Sequence, residues 1–143
     1  MREILFRGKQ ADNGEWIFGN IVHQTDYYGD RCDRWFILEG DYTYDYDIGY
    51  PIEVQKETVG QYTGLTDKNG KKIFEGDIVS GHLDDLFPGD ESRYEIAWKD
   101  YGWHLTRPDG TVDTAEQDWV NQNFEVIGNI YDNPELVEGE EHE

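Results

Sequence analysis

Three tight-turn signals constrain this chain more than any other feature: Asp12-Asn13-Gly14, Lys68-Asn69-Gly70 and Pro108-Asp109-Gly110. A two-residue hairpin turn matching strand twist needs positive φ at its central residues, which Asn, Asp and Gly tolerate best. Runs rich in β-formers flank each turn. Ile4-Leu5-Phe6-Arg7 precedes the first, and Trp16-Ile17-Phe18-Gly19-Asn20-Ile21-Val22 follows it. Lys72-Ile73-Phe74 and Gly76-Asp77-Ile78-Val79 follow the second; Trp103-His104-Leu105-Thr106 and Thr111-Val112 surround the third. In Tyr94-Glu95-Ile96-Ala97-Trp98 the large residues Tyr94, Ile96 and Trp98 fall on one face and Glu95 on the other, the period of a half-buried strand. A further strand is expected in Phe124–Tyr131. The predicted class is therefore mostly β.

Helix is expected in two short places. Thr114-Ala115-Glu116-Gln117 fits a capping box opening a turn or two through about Val120, and Asn133-Pro134 fits an N-cap followed by Pro at the first helical position. The run from Glu138 to Glu143 reads as a frayed acidic tail.

Two segments resemble each other. Asn13–Val22 and Asn69–Val79 share the pattern N-G-x-x-I-F-(x)-G-[ND]-I-V once one extra residue is allowed in the second. Two readings stand: a functional repeat, or a turn and strand each selecting similar residues. Residues 24–50 differ, with Tyr, Asp and Gly around a short apolar strand, Trp35-Phe36-Ile37-Leu38; they read as surface loops, as does 82–93. Loops carry function more often than strands do.

Composition narrows the function. The 143 residues hold 12 Lys+Arg against 32 Asp+Glu, a net charge of −20. Such a field repels nucleic-acid phosphate and favours a basic protein partner, although acidity can also serve solubility alone. Twenty-one aromatics, 5 Trp, 10 Tyr and 6 Phe, supply a core despite a hydrophobic content of 36%. No signal-peptide run and no apolar stretch of membrane-spanning length occurs, so the cytoplasm is the expected compartment. The single cysteine, Cys32, cannot form an internal disulfide and reads as an inert thiol.

Catalytic chemistry finds little support. His23, His82, His104 and His142 share no metal-ligand spacing, and His104 reads as a strand residue. Asp41, Asp45 and Asp47 lack the glycine and closing glutamate of a calcium-binding EF-hand loop. Ser80 and Ser92 lie in no nucleophile elbow, and the glycines form no phosphate-cradling loop. No cofactor, no metal and no enzyme activity is expected; a small hydrolase or nucleotide-handling enzyme is the alternative.

The densest pattern runs from Glu57 to Val79: E-T-V-G-Q-Y-T-G-L-T-D-K-N-G-K-K-I-F-E-G-D-I-V. Val59, Tyr62 and Leu65 are apolar anchors, Gly76 allows a bend, and Asp77 can accept from free backbone N–H groups beside it. This run resembles the YopX-like family of phage and prophage proteins. The opening Met1–Gly8, the segment Asn13–Gly19 and the closing Phe124–Leu136 resemble it too. The motif residues are Glu57, Thr58, Gly60, Gln61, Tyr62, Thr63, Gly64, Asn69, Gly70, Gly76, Asp77, Gly128, Asn129, Asn133 and Pro134. Lys56 stands where many members carry Pro. The resemblance implies a phage-derived protein acting in a bacterial host, with a second half related to SH3-like barrels. It implies no activity and no catalytic residues. The expected organisation is a β-hairpin and loop region over 1–56, a barrel core with a short helix over 57–137, and a tail over 138–143.

The expected function is a non-enzymatic interaction module. Its surface would be Tyr27, Tyr28, Trp35, Tyr42, Tyr44 and Tyr46, because aromatics dominate binding hot spots and an acidic rim steers a basic partner. The competing reading is that these rings close over the core beneath. Mimicry of DNA by spaced carboxylates is a second alternative, and self-assembly through free strand edges a third.

Overall fold

A computed structural model of the chain describes residues 4–39, 51–81, 92–99, 102–107, 112–114 and 117–138. The chain divides into two compact units, Met1–Gln61 and Tyr62–Glu143. All strand pairings among the described residues are antiparallel.

The first unit contains β1 (Phe6–Lys9), β2 (Trp16–Tyr27), β3 (Asp30–Leu38) and β4 (Ile52–Val54), in the order β4-β3-β2-β1. On its other side β1 pairs with the start of β5 (Gly60–Thr66) through Arg7 opposite Gly60 and Phe6 opposite Gln61. Alternation sets the core. Ile17 and Ile37 are buried with Val54, and Ile21, Trp35, Ile52 and Val59 pack against them. Each fully buried aliphatic chain contributes about 1.5–3 kcal/mol. Gly19 is required by close approach, since a Cβ there would lie 2.0 Å from the Leu38 carbonyl oxygen.

Here the structure corrects the loop reading of residues 24–39. Instead of a short strand between loops, β2 and β3 form a long ribbon that turns at Tyr28-Gly29. The reason is that its far end extends past the core. Both faces are solvated there, so its residues are polar and carry no β alternation.

The chain passes into the second unit within β5. The end of β5 pairs with β6 (Lys72–Phe74). A five-stranded sheet follows in the order β10-β9-β8-β7-β11, from β7 (Asp77–Gly81), β8 (Ser92–Lys99), β9 (Gly102–Thr106), β10 (Val112–Thr114) and β11 (Glu125–Asn129). Among the described residues this sheet has two free ends, β10 and β11, and is not closed into a barrel. Ile73, Val79, Tyr94, Ile96, Leu105, Val120 and Phe124 form its core.

Helix α1 spans Gln117–Asn123, and α2 spans Glu135–Glu138 just after Asn133-Pro134. The first is shifted from the expected start. Thr114 pairs with His104 as the last residue of β10, and the helix begins three residues further on, at Gln117. His104 itself lies in β9.

The internal similarity has a structural counterpart. Asn13-Gly14 and Asn69-Gly70 both turn a hairpin, with Gly14 at φ 74° and Gly70 at φ 81°. After the first turn the chain continues as one 12-residue strand, β2. After the second, the extra residue Glu75 and Gly76 (φ 90°) interrupt it, so β6 ends and β7 starts in a different sheet.

Candidate interaction surface

The β2–β3 ribbon closes on Tyr28 and Gly29, which have φ 52° and 85°. Tyr27 pairs with Asp30 across this two-residue loop. Positive φ at both positions is the pattern of a type I′ turn, in which Asn-Gly is preferred. A bulky residue there is an outlier, costing about 1–2 kcal/mol. Tyr28 is nonetheless placed there, 90% exposed, edge-on to the half-exposed Tyr27 at a ring separation of 4.6 Å. Strain of this kind tends to collect at functional positions.

Further back, on the core side of the same ribbon, His23 stacks on its cross-strand partner Trp35 at 3.8 Å and 13°. Asp33 ties this end together. One of its oxygens lies 2.7 Å from His23 Nε2 and accepts the Trp35 indole N–H at 2.9 Å; the other accepts Lys56 Nζ at 2.6 Å. The Lys56 ammonium, then His23 and Trp35, lower the Asp33 carboxyl to about 2. Arg34 grips Glu53 of β4 with two hydrogen bonds, which raises the guanidinium pKa and lowers that of the carboxyl. These exposed pairs orient side chains more than they stabilise the fold. Lys56 thus anchors the 3₁₀ turn Lys56–Thr58 to the ribbon.

The aromatic set expected from sequence is therefore split. Tyr27 and Tyr28 share the ribbon tip, Trp35 is half-buried against the core, and Tyr42, Tyr44 and Tyr46 lie outside the described residues. What sequence reading missed is the Asp33 hub with His23 and Lys56. Its only trace was Asp33 and Trp35 two apart on one strand, and its partners come from other elements. Cys32 is half-buried and directs its thiol to the Gln24 carbonyl at 3.4 Å.

The motif residues make the frame. Thr58 Oγ1 accepts the Lys9 N–H at 2.8 Å and donates to the Gln55 carbonyl. Thr63 and Gly64 (φ 87°) form a bulge in β5, where Thr63 Oγ1 donates to the Ile73 carbonyl and accepts the Leu65 N–H. Buried Asp77 accepts the Phe74 N–H at 2.7 Å across the Glu75-Gly76 turn, as its sequence position suggested. Asn129 Oδ1 accepts the N–H groups of Tyr131 and Asp132, and Asn133 Oδ1 accepts that of Asn129. A Cβ on Gly128 would lie 2.5 Å from that Asn133 oxygen. Glu57 and Asn69 are exposed, Gly60 and Tyr62 buried, and Gln61 and Pro134 lie at the strand pairing and the start of the last helix.

Among the described residues no group of three or more His, Cys, Asp or Glu is placed to hold a metal ion, and no helix is long and apolar enough to cross a membrane. No curated protein matches the chain. It is similar to the crystal structure of protein EF1440 from Enterococcus faecalis, with 26% identity and a TM-score of 0.58, over 96% of this chain and 100% of that one. The model of the family described as YopX protein matches residues 5–138, nearly the whole length. The chain belongs to the YopX protein family.

Proposed function

We propose that this chain is a non-enzymatic module that binds a basic protein partner through the tip of the β2–β3 ribbon. The observation that carries the reading is Tyr28: 90% exposed, at φ 52°, held edge-on to Tyr27. Stability alone would place Asn or Gly there, whereas Tyr is a favoured binding anchor because it offers a large amphipathic face with few rotatable bonds. The net charge of −20 selects the partner. It disfavours nucleic acid, anionic lipid and a second copy of the chain, and speeds encounter with a cationic protein. The resemblance to phage and prophage proteins supports a place in the cytoplasm of a bacterial host. The five-stranded antiparallel sheet in the second unit supports the reading of that part as related to SH3-like barrels.

The test is affinity capture from bacterial lysate with a charge-matched acidic protein as control. One basic protein should be enriched over the control and lost with the Tyr27→Ala/Tyr28→Ala double variant. Equal recovery with the wild type and the double variant would end the ribbon-tip reading. Displacement of the captured protein by DNA would instead favour DNA mimicry.

A further inference from the structure

The second unit has its own aromatic end. In β8 the residues Tyr94, Ile96 and Trp98 share a face, and the first two are buried in the core. Trp98 is the last of the three. It pairs across the hairpin with Trp103 of β9, which still packs against the core, but Trp98 has run past it and is 51% exposed. The two indoles meet at 77° with centroids 5.0 Å apart. An edge-to-face pair orients both rings, and the exposed half of Trp98 offers solvent an aromatic surface whose ring face bears the negative lobe of the quadrupole.

Elsewhere, this chain covers such faces with its own cations. Arg7 and Lys9 lie over Trp16, Arg34 over Phe36, Lys72 over Tyr62 and Arg107 over Tyr94. Among the described residues, no cation lies over Trp98 or Trp103. The unit around them holds 20 Asp+Glu and six Lys+Arg. A field of that sign concentrates external cations at its surface. Trp is also the strongest cation–π acceptor, and guanidinium, planar and weakly hydrated, is the cation best suited to lie flat on it.

We infer that the Trp98–Trp103 corner is a docking site for an arginine side chain of a basic protein partner. The inference rests on the reading of the chain as a module for basic proteins, but uses residues of the second unit rather than Tyr27 and Tyr28.

The test uses the full chain labelled with 15N and a short arginine–glycine peptide, with the peptide's citrulline counterpart as the uncharged control of equal shape. The indole N–H signals of Trp98 and Trp103 should shift saturably with the arginine peptide and not with citrulline. Trp98→Ala should weaken peptide binding about tenfold, the scale of a partly desolvated cation–π contact, with an otherwise unchanged amide spectrum. Should that variant fail to fold, the comparison passes to Trp98→Phe, which keeps most of the binding, against Trp98→Gln, which loses it. Tyr28→Asn should leave peptide binding unaltered, so this site and the ribbon tip stand or fall separately. Equal binding of both peptides would overturn the assignment, as would wild-type affinity in Trp98→Ala or shifts spread over the acidic surface without saturation at Trp98. Concentration-dependent indole shifts without peptide would give the corner to a second copy and also overturn it.

Discussion

The Asp67 carboxylate accepts the backbone N–H of Val126 at 2.9 Å, joining positions 59 residues apart. Its other oxygen accepts the N–H groups of Asn69 and Lys71, each at 2.9 Å, inside the β5–β6 turn. The neighbouring Lys68 N–H donates to the Phe124 carbonyl at 2.9 Å. One buried side chain therefore shapes a local turn and ties it to the start of β11. Asp67→Ala should leave three backbone donors without that acceptor, at about 1–3 kcal/mol for each that stays buried. Denaturant unfolding should show a loss of about 3 kcal/mol or more, and Asp67→Asn a smaller one, because its amide can present a single acceptor oxygen. Wild-type stability in Asp67→Ala would show that water replaces the carboxylate without cost.

Tyr28 and Gly29 should separate stability from binding. Tyr28→Asn replaces a strained residue by one that accepts positive φ, so unfolding should show stabilisation by about 1 kcal/mol. The same variant should weaken capture of the basic partner. A variant less stable than wild type would mean that the contact with Tyr27 outweighs the backbone strain.

Two glycines in the first hairpin should behave differently. At Gly14 a Cβ meets nothing within 4 Å, and the φ of 74° is the only obstacle, so Gly14→Ala should cost about 1–2 kcal/mol. At Gly19 a Cβ would overlap backbone, 2.0 Å from the Leu38 carbonyl oxygen. Gly19→Ala must separate β2 from β3, and the amide signals of the ribbon should lose their native positions while those of the second unit persist.

Asp33 sets a pH window. Its folded pKa of about 2 lies below the ordinary 3.8. A depressed carboxyl stabilises the fold above its unfolded pKa and loses that contribution as pH falls through the folded value. The effect should therefore appear between about pH 4 and pH 2 and be reduced by salt, since the group is exposed. The Asp33 carboxyl carbon signal should titrate near the low end of that window, and Lys56→Met should move its midpoint upward. An unchanged midpoint would transfer the cause to His23 and Trp35.

Much of the fold was legible because its signals are local. Asn13-Gly14 and Asn69-Gly70 state their turns through dihedral preference, and Tyr94-Ile96 states a strand through alternation. Asn133-Pro134 marks a helix start through proline's fixed φ. Thr114 misled because a hydroxyl residue suits a strand end as well as a capping box: it ends β10 opposite His104, and the helix starts only at Gln117. The ribbon was illegible because strands with two wet faces carry no hydrophobic period.

The sequence by itself determined a mostly β chain with hairpins at its Asn-Gly turns, a strongly acidic surface and the membership stated by the Glu57–Val79 run. Those properties depend on neighbouring residues or on totals. Tertiary structure alone decided that Glu75 sends β7 into another sheet, that Asp67 reaches Val126, and that Tyr28 stands at a tip while Trp35 lies against the core. Each of these depends on which distant backbone or side chain arrives opposite. That is settled by burial and strand register over the whole chain, and no local pattern encodes it.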